Sequence, residues 1–496
     1  MMDELLDYSE AIAKFDVIFG VEVHVELNTQ TKMFCPAHVS FGAPPNSETS
    51  PVSLGLPGSL PVLNKQALED AIKIGLALNC SVAEVSRFAR KNYFYPDLVK
   101  NYQISQSDQP IVYEGFLEVD IEDDKPFKVK IERAHMEEDA GKSLHIGKTG
   151  RIQGATRSLI DYNRAGVPLI EIVTHPNFCR TGNAPKIISS YVRALRDIFR
   201  VLGVSDAKME RGNVRADINI SLTAKGSAEL GTRTETKNVN SFKSIAEAAR
   251  YEICRQAFIL DKGQKVFQET RHWHEDTQTT SSGRAKSDAD DYRYFPEPDL
   301  VPVVTTSAQV EEIRRSMPEL PHNKRLRLAK LWKYDSKTMS EIVNASALDL
   351  IEAATLAGAN SDVAKKWYLG ELSRWAKENN CELDELKITP ADIVYLEKEI
   401  TSGKINDKIA RTVLQKVLAG QGSFANVLAK SGLEIVQDSG VLESAVDKAL
   451  AEEKGVLAKL KSGNMAPIGV IIGKVMRQTK GQADAKKVTE IIKSKL

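Results

Sequence analysis

Residues 17–27 constrain the fold most: Val17, Phe19, Val21, Val23, Val25 and Leu27 alternate with Gly20, Glu22, His24 and Glu26. Alternation of this length specifies a strand with one face in a core, because successive side chains of an extended chain point to opposite sides. The polar face then carries Glu-x-His-x-Glu. Neighbours on that face stand about 6.6 Å apart. That is too far for tight pairing but suits the flanking of a divalent cation together with residues from another strand. A strand face open to water is the competing reading.

Two further segments offer partners. In residues 129–142, Val129, Ile131, Arg133, His135 and Glu137 alternate before the acidic cluster Glu137-Glu138-Asp139. Three adjacent acids repel one another, and a cation shared with Glu22 and His24 would relieve that; a solvated acidic turn is the alternative. Gly141-Lys142-Ser143 resembles the end of a phosphate loop, but Met136 stands where the first glycine belongs, so the segment is no Walker A motif. In residues 214–222, Val214, Ala216, Ile218, Ile220 and Leu222 alternate with Arg215, Asp217, Asn219 and Ser221. The short loop TAKGSAELG follows, then a run with Arg233, Glu235 and Lys237 on one face, a pattern that predicts an antiparallel hairpin. It ends in Lys237-Asn238-Val239-Asn240, amide and ammonium donors able to orient a phosphate or carboxylate. His272-Trp273-His274 reads as a surface histidine pair. The aromatic and basic run 292–299 reads as packing at a domain exit, with stacking on a nucleotide as the alternative.

The chain has 496 residues, which at about 150 per domain suggests roughly three domains. Up to about Pro298 the texture is strands, loops and a few helices, an α+β pattern, with one distinct helix where Ile187, Ile188, Tyr191, Val192, Leu195, Ile198, Phe199 and Leu202 recur before Gly203. After Asp299, prolines mark a linker and long helical periods follow over 349–358 and 361–379, with a Gly-rich break at 420–422. The expected domains are therefore 1–300, 301–420 and 421–496, the last two helical. Basic and acidic residues number 67 each, which excludes a uniformly basic nucleic-acid binder and makes any basic patch a matter of position. No apolar run is long enough to span a bilayer, and five scattered cysteines fit free thiols, so a soluble cytoplasmic protein is expected.

The words GVEVHVEL, KMF, FGAPPN, LGLPGSLPVLN, RKNYFYPDL, YQISQ, EEDAGK, DYNRAGVPLIEIV and DYRYFPEPD occur in this order, and PIGVIIGKVMRQTKGQADAKKV closes the chain. In these the sequence closely resembles the B-subunit family of the tRNA-dependent amidotransferases, which amidate glutamyl-tRNA(Gln) or aspartyl-tRNA(Asn). The resemblance implies an antiparallel-sheet cradle domain similar to glutamine synthetase, a linking helical domain and a small helical tail that contacts tRNA. It implies a reaction in which ATP phosphorylates the side-chain carboxylate of a misacylated tRNA and ammonia displaces the phosphate, with Mg2+ neutralising the phosphoryl oxygens.

By resemblance, Glu22, His24 and Glu138 are the expected metal ligands, with Glu26, Glu137 and Glu210 nearby as second candidates, and Glu22, His24, Glu137, Glu138 and Glu210 form the expected catalytic set. Lys91, Asn92, Tyr93, Arg215, Asp217, Asn219, Lys237, Asn238 and Asn240 are expected to line the pocket for ATP and the aminoacyl end. From Lys461 onward eight basic residues face only Asp484 and Glu490, a local charge of +6 that supports phosphate contact, with Lys474, Arg477 and Lys480 as the expected tRNA contacts. Many members carry a four-cysteine zinc knuckle; here only Cys35 remains, with Ala37, Ser50 and Ser53 at the other positions, so no structural zinc is expected. The chain has no recognisable glutaminase motif, so ammonia is expected from a glutaminase partner, the family's A subunit, braced by a small C subunit, in a heterotrimer. A non-catalytic tRNA scaffold and a ligase acting on a small free acid are the rival readings.

Overall fold

The computed structural model describes residues 4–121, 125–147, 154–283, 292–379, 381–432, 439–461, 466–479, 483 and 485–496. The chain divides into two compact units, Met1–Lys324 and Arg325–Leu496. Among the described residues no helix is long and apolar enough to cross a membrane.

The first unit is α+β, built on a ten-stranded sheet. In chain order its strands are β1 (Phe15–Glu26), β2 (Ser81–Val82), β3 (Val112–Val119), β4 (Phe127–Glu138), β5 (Pro168–Thr174), β6 (Asn177–Cys179), β7 (Val214–Ala224), β8 (Thr234–Lys237), β9 (Thr270–His274) and β10 (Thr279–Ser282). The spatial order is β10-β9-β8-β7-β1-β5-β4-β3-β2, with β6 also paired to β1. The segment that opens the sequence argument is thus central, flanked by β7 and β5.

The predicted β7–β8 hairpin forms with Ile218 opposite Thr236 and Ile220 opposite Thr234. The sheet departs from the expected all-antiparallel form at one place: β8 and β9 run parallel. A whole helix, Phe242–Asp261, intervenes between them, and such a crossover returns the chain in the same direction, as a tight turn cannot. The sheet is therefore mixed.

One face of the sheet is apolar. Val17, Phe19, Val21, Val23 and Val25 are all buried there, in one core with residues from several helices, among them α1 (Lys65–Ala77), α2 (Ala184–Leu202) and α3 (Phe242–Asp261). The apolar stripe predicted for α2 is its buried face, and Gly203 ends it in the left-handed conformation at φ 68°. Val204 N donates to Phe199 O, closing the terminal turn as such glycine caps do. With that face packed, the polar side chains of β1 are committed to the opposite one.

The second unit is helical, with one apolar core spanning Leu328 to Leu428 and another spanning Leu442 to Ile492. The helical period of 361–379 is realised as Ser361–Trp367 and Ser373–Glu378 joined through a π-helical turn, Tyr368–Leu372. The helix Phe424–Ser431, beyond the Gly-rich break, contributes Phe424, Val427 and Leu428 to the first of these cores.

Candidate active site

The site is assembled by strand register. On the polar face, His24 of β1 lies opposite Glu171 of β5, and Glu171 lies opposite His135 of β4. On the other side Glu22 lies opposite Asp217 of β7, and Asn219 opposite Glu235 of β8. Directly opposed side chains sit about 5 Å apart at Cβ, so this register alone brings acids and imidazoles from five strands together.

Two groups of potential ligands result. In the first, His24, Glu137 and Glu171 each offer an atom within 4.8 Å of the others. His135 Nε2 lies 3.1 Å from Glu137 Oε1 and 3.2 Å from Glu171 Oε2, and His24 Nε2 is 3.6 Å from the same Glu171 oxygen. Ser105 Oγ donates to Glu137 Oε1 at 2.7 Å and Gln103 Nε2 to Oε2 at 3.0 Å. Burial disfavours charge throughout, but opposite charges prevail. His135 is raised to about 9 because Glu137 and Glu171 outweigh its burial. The same balance raises His24, beside Glu171. Against burial, Lys91 and His135 hold Glu137 below the ordinary carboxylate value, and the two imidazoles hold Glu171 well below it. Lys91 is raised, since Glu137 and Glu171 outweigh its burial. Its ammonium stands 5.2 Å from the ring centre of Tyr292, which meets Tyr93 edge to face.

The second group is Glu22, Asp217 and Glu235, again within 4.8 Å. Lys237 Nζ lies 2.5 Å from Asp217 Oδ2 and 3.5 Å from Glu235 Oε1. Asn219 Nδ2 donates to Glu22 Oε1 at 3.0 Å. At the far end of β1, Asn213 Nδ2 donates to Glu26, while Arg215 pairs with Asp139 at 2.7 Å. Burial and the neighbouring Asp139 push the Glu26 carboxyl up to about 6.

Glu22, His24 and Glu138, expected to share one cation, do not meet at one point. Glu22 belongs to the second group and His24 to the first. Glu138 is engaged by Lys100 Nζ and by the Ile104 amide at 3.1 Å. The acid that joins His24 is its neighbour, Glu137. The cause is a bulge: pairing steps from Val173–Arg133 to Thr174–Ile131, skipping Glu132. The extra residue inverts the alternation, so Val129 and Ile131 lie in the core and His135 and Glu137 on the polar face.

Among the pocket residues, Lys91 and Asn92 end a short strand, Ala89–Asn92, and Asn92 Nδ2 donates to Arg293 O at 2.8 Å. Tyr93 follows and stacks as described. Asn238 adopts φ 68° with its amide 3.4 Å from His272 Nδ1, and Asn240 is exposed. The run 292–299 is anchored by Arg90, which pairs with the buried Glu297 at 2.7 Å. In the tail, Lys474 pairs with Glu452 and Glu453 at 3.1 and 2.8 Å, and Lys495 with Asp447 at 2.5 Å, acids outside the stretch that gave +6. Arg477 is exposed; Lys480 and the Glu210 side chain lie outside the described residues. Sequence reasoning did not place His135, Glu171 or Glu235 among the site residues. Glu171 had a signal, as the single charge within the apolar run PLIEIVT.

An α+β unit whose central strand gathers two carboxylate-rich ligand groups, preceding an all-helical unit, matches one known class along nearly its whole length. Residues 17–311 match the GatB/GatE catalytic domain and residues 349–496 the GatB domain; the chain belongs to this family. It is 56% identical over 497 residues, 100% of both chains, to the B subunit of the aspartyl/glutamyl-tRNA(Asn/Gln) amidotransferase of Bifidobacterium longum (strain DJO10A). It is 55% identical to the protein of that name from Paenarthrobacter aurescens (strain TC1), over 100% of this chain and 99% of the relative. With that of Nocardioides sp. (strain ATCC BAA-499 / JS614) the identity is 54% over 100% of both.

Proposed function

We propose that this chain is the phosphorylating and amidating component of a tRNA-dependent amidotransferase, a carbon–nitrogen ligase acting on misacylated Glu-tRNA(Gln), Asp-tRNA(Asn) or both. The observation that carries the reading is the pair of ligand groups side by side on β1, in a chain that matches B-subunit relatives end to end. Carboxylate oxygens are hard donors that suit Mg2+; the second group is all carboxylate, and the first adds the borderline imidazole of His24 to two carboxylates. Either group would hold such an ion, which would neutralise phosphoryl oxygens as ATP and the substrate carboxylate meet.

A carboxylate does not accept ammonia directly, because its leaving oxygen is too basic. In the proposed sequence the substrate carboxylate oxygen attacks the γ-phosphorus of ATP and ADP departs. Ammonia then attacks the acyl carbon, and phosphate leaves with the bonding electrons and takes up the proton that the nitrogen sheds, giving the amide. Catalysis of this kind rests on positioning and charge rather than on a protein nucleophile. Lys237 and Arg215 supply cations, each at present paired with a carboxylate, for exchange onto anionic oxygens. Asn219 orients Glu22, while Gln103 and Ser105 orient Glu137.

The rest of the reading is a cradle domain akin to glutamine synthetase over 1–300, a linking domain over 301–420, and a tail over 421–496 that uses Lys474, Arg477 and Lys480 on tRNA. The glutaminase A subunit supplies ammonia and the small C subunit braces the heterotrimer. The test mixes the chain with its glutaminase partner, ATP and misacylated tRNA, with Mg2+ and then with chelator. Mg2+-dependent amidation, lost in Asp217→Asn and Glu137→Gln with tRNA affinity retained, is expected. ATP turnover on a free acid, or tRNA binding with amidation untouched by both substitutions, would overturn the reading.

A further inference from the structure

Strand β8 is only four residues long, yet its Glu235 completes the second ligand group, with Lys237 two residues on paired to Asp217 and Glu235. Its parallel edge against β9 spans three residue pairs, and parallel pairing is the weaker kind. On the β9 side, backbone pairing alone therefore gives Glu235 little purchase. The protein adds support from both sides. Beside the site, Thr270 Oγ1 of β9 donates to Glu235 Oε2 at 2.8 Å, fixing one carboxylate oxygen while the other lies toward Lys237. Beneath the strand, Thr234 Oγ1 donates at 2.6 Å to Glu252 of α3, and Gln256 Nε2 donates to Thr234 Oγ1 at 2.9 Å and to Ile220 O at 3.0 Å. Glu252 is fully buried and is held by Arg255 at 2.6 and 2.9 Å, with Arg271 Nε 3.6 Å away. Arg271, from β9, also donates to Thr280 of β10 and to Glu269.

We propose that Thr270 and the buried Thr234–Glu252 pair are positioning residues that set the Glu235 carboxylate for cation and phosphate binding. This rests on the reading of the second group as a cation site. Paired charges this deep are costly to desolvate and seldom repay themselves in stability alone, whereas outer hydrogen-bond partners of metal ligands commonly govern affinity. Thr270 is the more direct partner and Thr234 acts through the backbone.

The test uses the full chain with Mn2+ as probe, read by its electron paramagnetic resonance, and Asp217→Asn to identify the binding step that belongs to this group. Thr270→Val and Thr234→Val keep shape and strand propensity while removing one hydroxyl each; the serine variants restore it. Thr270→Val should weaken the Asp217-dependent step about tenfold, the low end for outer-shell partners, and Thr234→Val somewhat less, with both serine variants close to wild type. A loss of melting temperature with Mn2+ affinity unchanged in both valine variants would overturn the proposal. If Asp217→Asn removes no Mn2+ step, the cation reading itself fails. The positioning role is then decided in the assembled enzyme by the KM for ATP: raised in the valine and restored in the serine variants upholds it, and an unchanged KM overturns it.

Discussion

Glu171→Gln isolates the electrostatics of the first ligand group. The two imidazoles flanking Glu171 gain their protons against burial, and for His135 the value rises from 6.5 to about 9. At about 1.4 kcal/mol per pH unit this is roughly 3 kcal/mol of preference for the imidazolium. Glu137 and Glu171 share that work at 3.1 and 3.2 Å, so removing the Glu171 charge should take away about half of it, lowering the His135 midpoint by about one pH unit. The sign of the stability effect follows from linkage. A folded value above the unfolded one gives stabilisation that is complete below pH 6.5 and fades as pH rises through about 9. Glu171→Gln should therefore melt below wild type at pH 6, and the gap should narrow by about pH 10. Histidine-labelled full chain, in chelator, supplies the direct assay by NMR; His135→Asn assigns the resonance among the eight histidines. A wild-type midpoint near 6.5, or one that Glu171→Gln leaves in place, would refute the reasoning.

Two predictions concern the scaffold. A methyl group added at Gly75 in α1 would overlap Val112 of β3, so Gly75→Ala should lower the melting temperature by an amount matching about 1–2 kcal/mol, overpacking exceeding the gain in helix propensity; a rise would show that α1 moves off the sheet. The buried Asp16 accepts from Gly226 N at 2.8 Å and pairs with Lys225 at 2.9 Å, which hold its carboxyl below 3.8 against burial. Its stabilisation is present above pH 3.8 and lost as pH falls below that, so Asp16→Asn should cost about 1–3 kcal/mol at pH 7 and much less at pH 3, as thermal melts at the two values would show.

What was legible in the sequence was legible through period. The alternation of 17–27 gives β1, its buried face and the two residues that seed both ligand groups; the stripe from Ile187 to Leu202 gives α2 and its glycine stop. Regular repetition is local information, so a single segment carries it. The β8–β9 direction is not local: it depends on whether the chain between them folds as a turn or a helix, and residues 242–261 carry too weak an apolar stripe to announce the helix on their own. Family resemblance supplied most of the pocket residues, but it names positions without saying which of them meet.

The partition of ligands between two groups shows why meeting is harder to read than membership. His24 is joined by Glu137 and Glu171, more than a hundred residues away in sequence. Whether Glu137 or Glu138 arrives depends on the phase of β4 alone. Read straight through, Val129, Ile131, Arg133, His135 and Glu137 form one unbroken alternation, which would set His135 and Glu137 on the same face as two core residues. A chain so threaded would bury an imidazole and a carboxylate among aliphatic side chains, at a cost of several kcal/mol. The bulge at Glu132 resolves the conflict by inserting one residue: Ala134 and Met136 take over the core positions, and His135 and Glu137 turn to the polar face. Glu138 is carried away from it, where Lys100 meets its charge. The acidic run is thus divided between two sides of a strand, and the self-repulsion that suggested one shared cation is relieved by separation as well as by pairing.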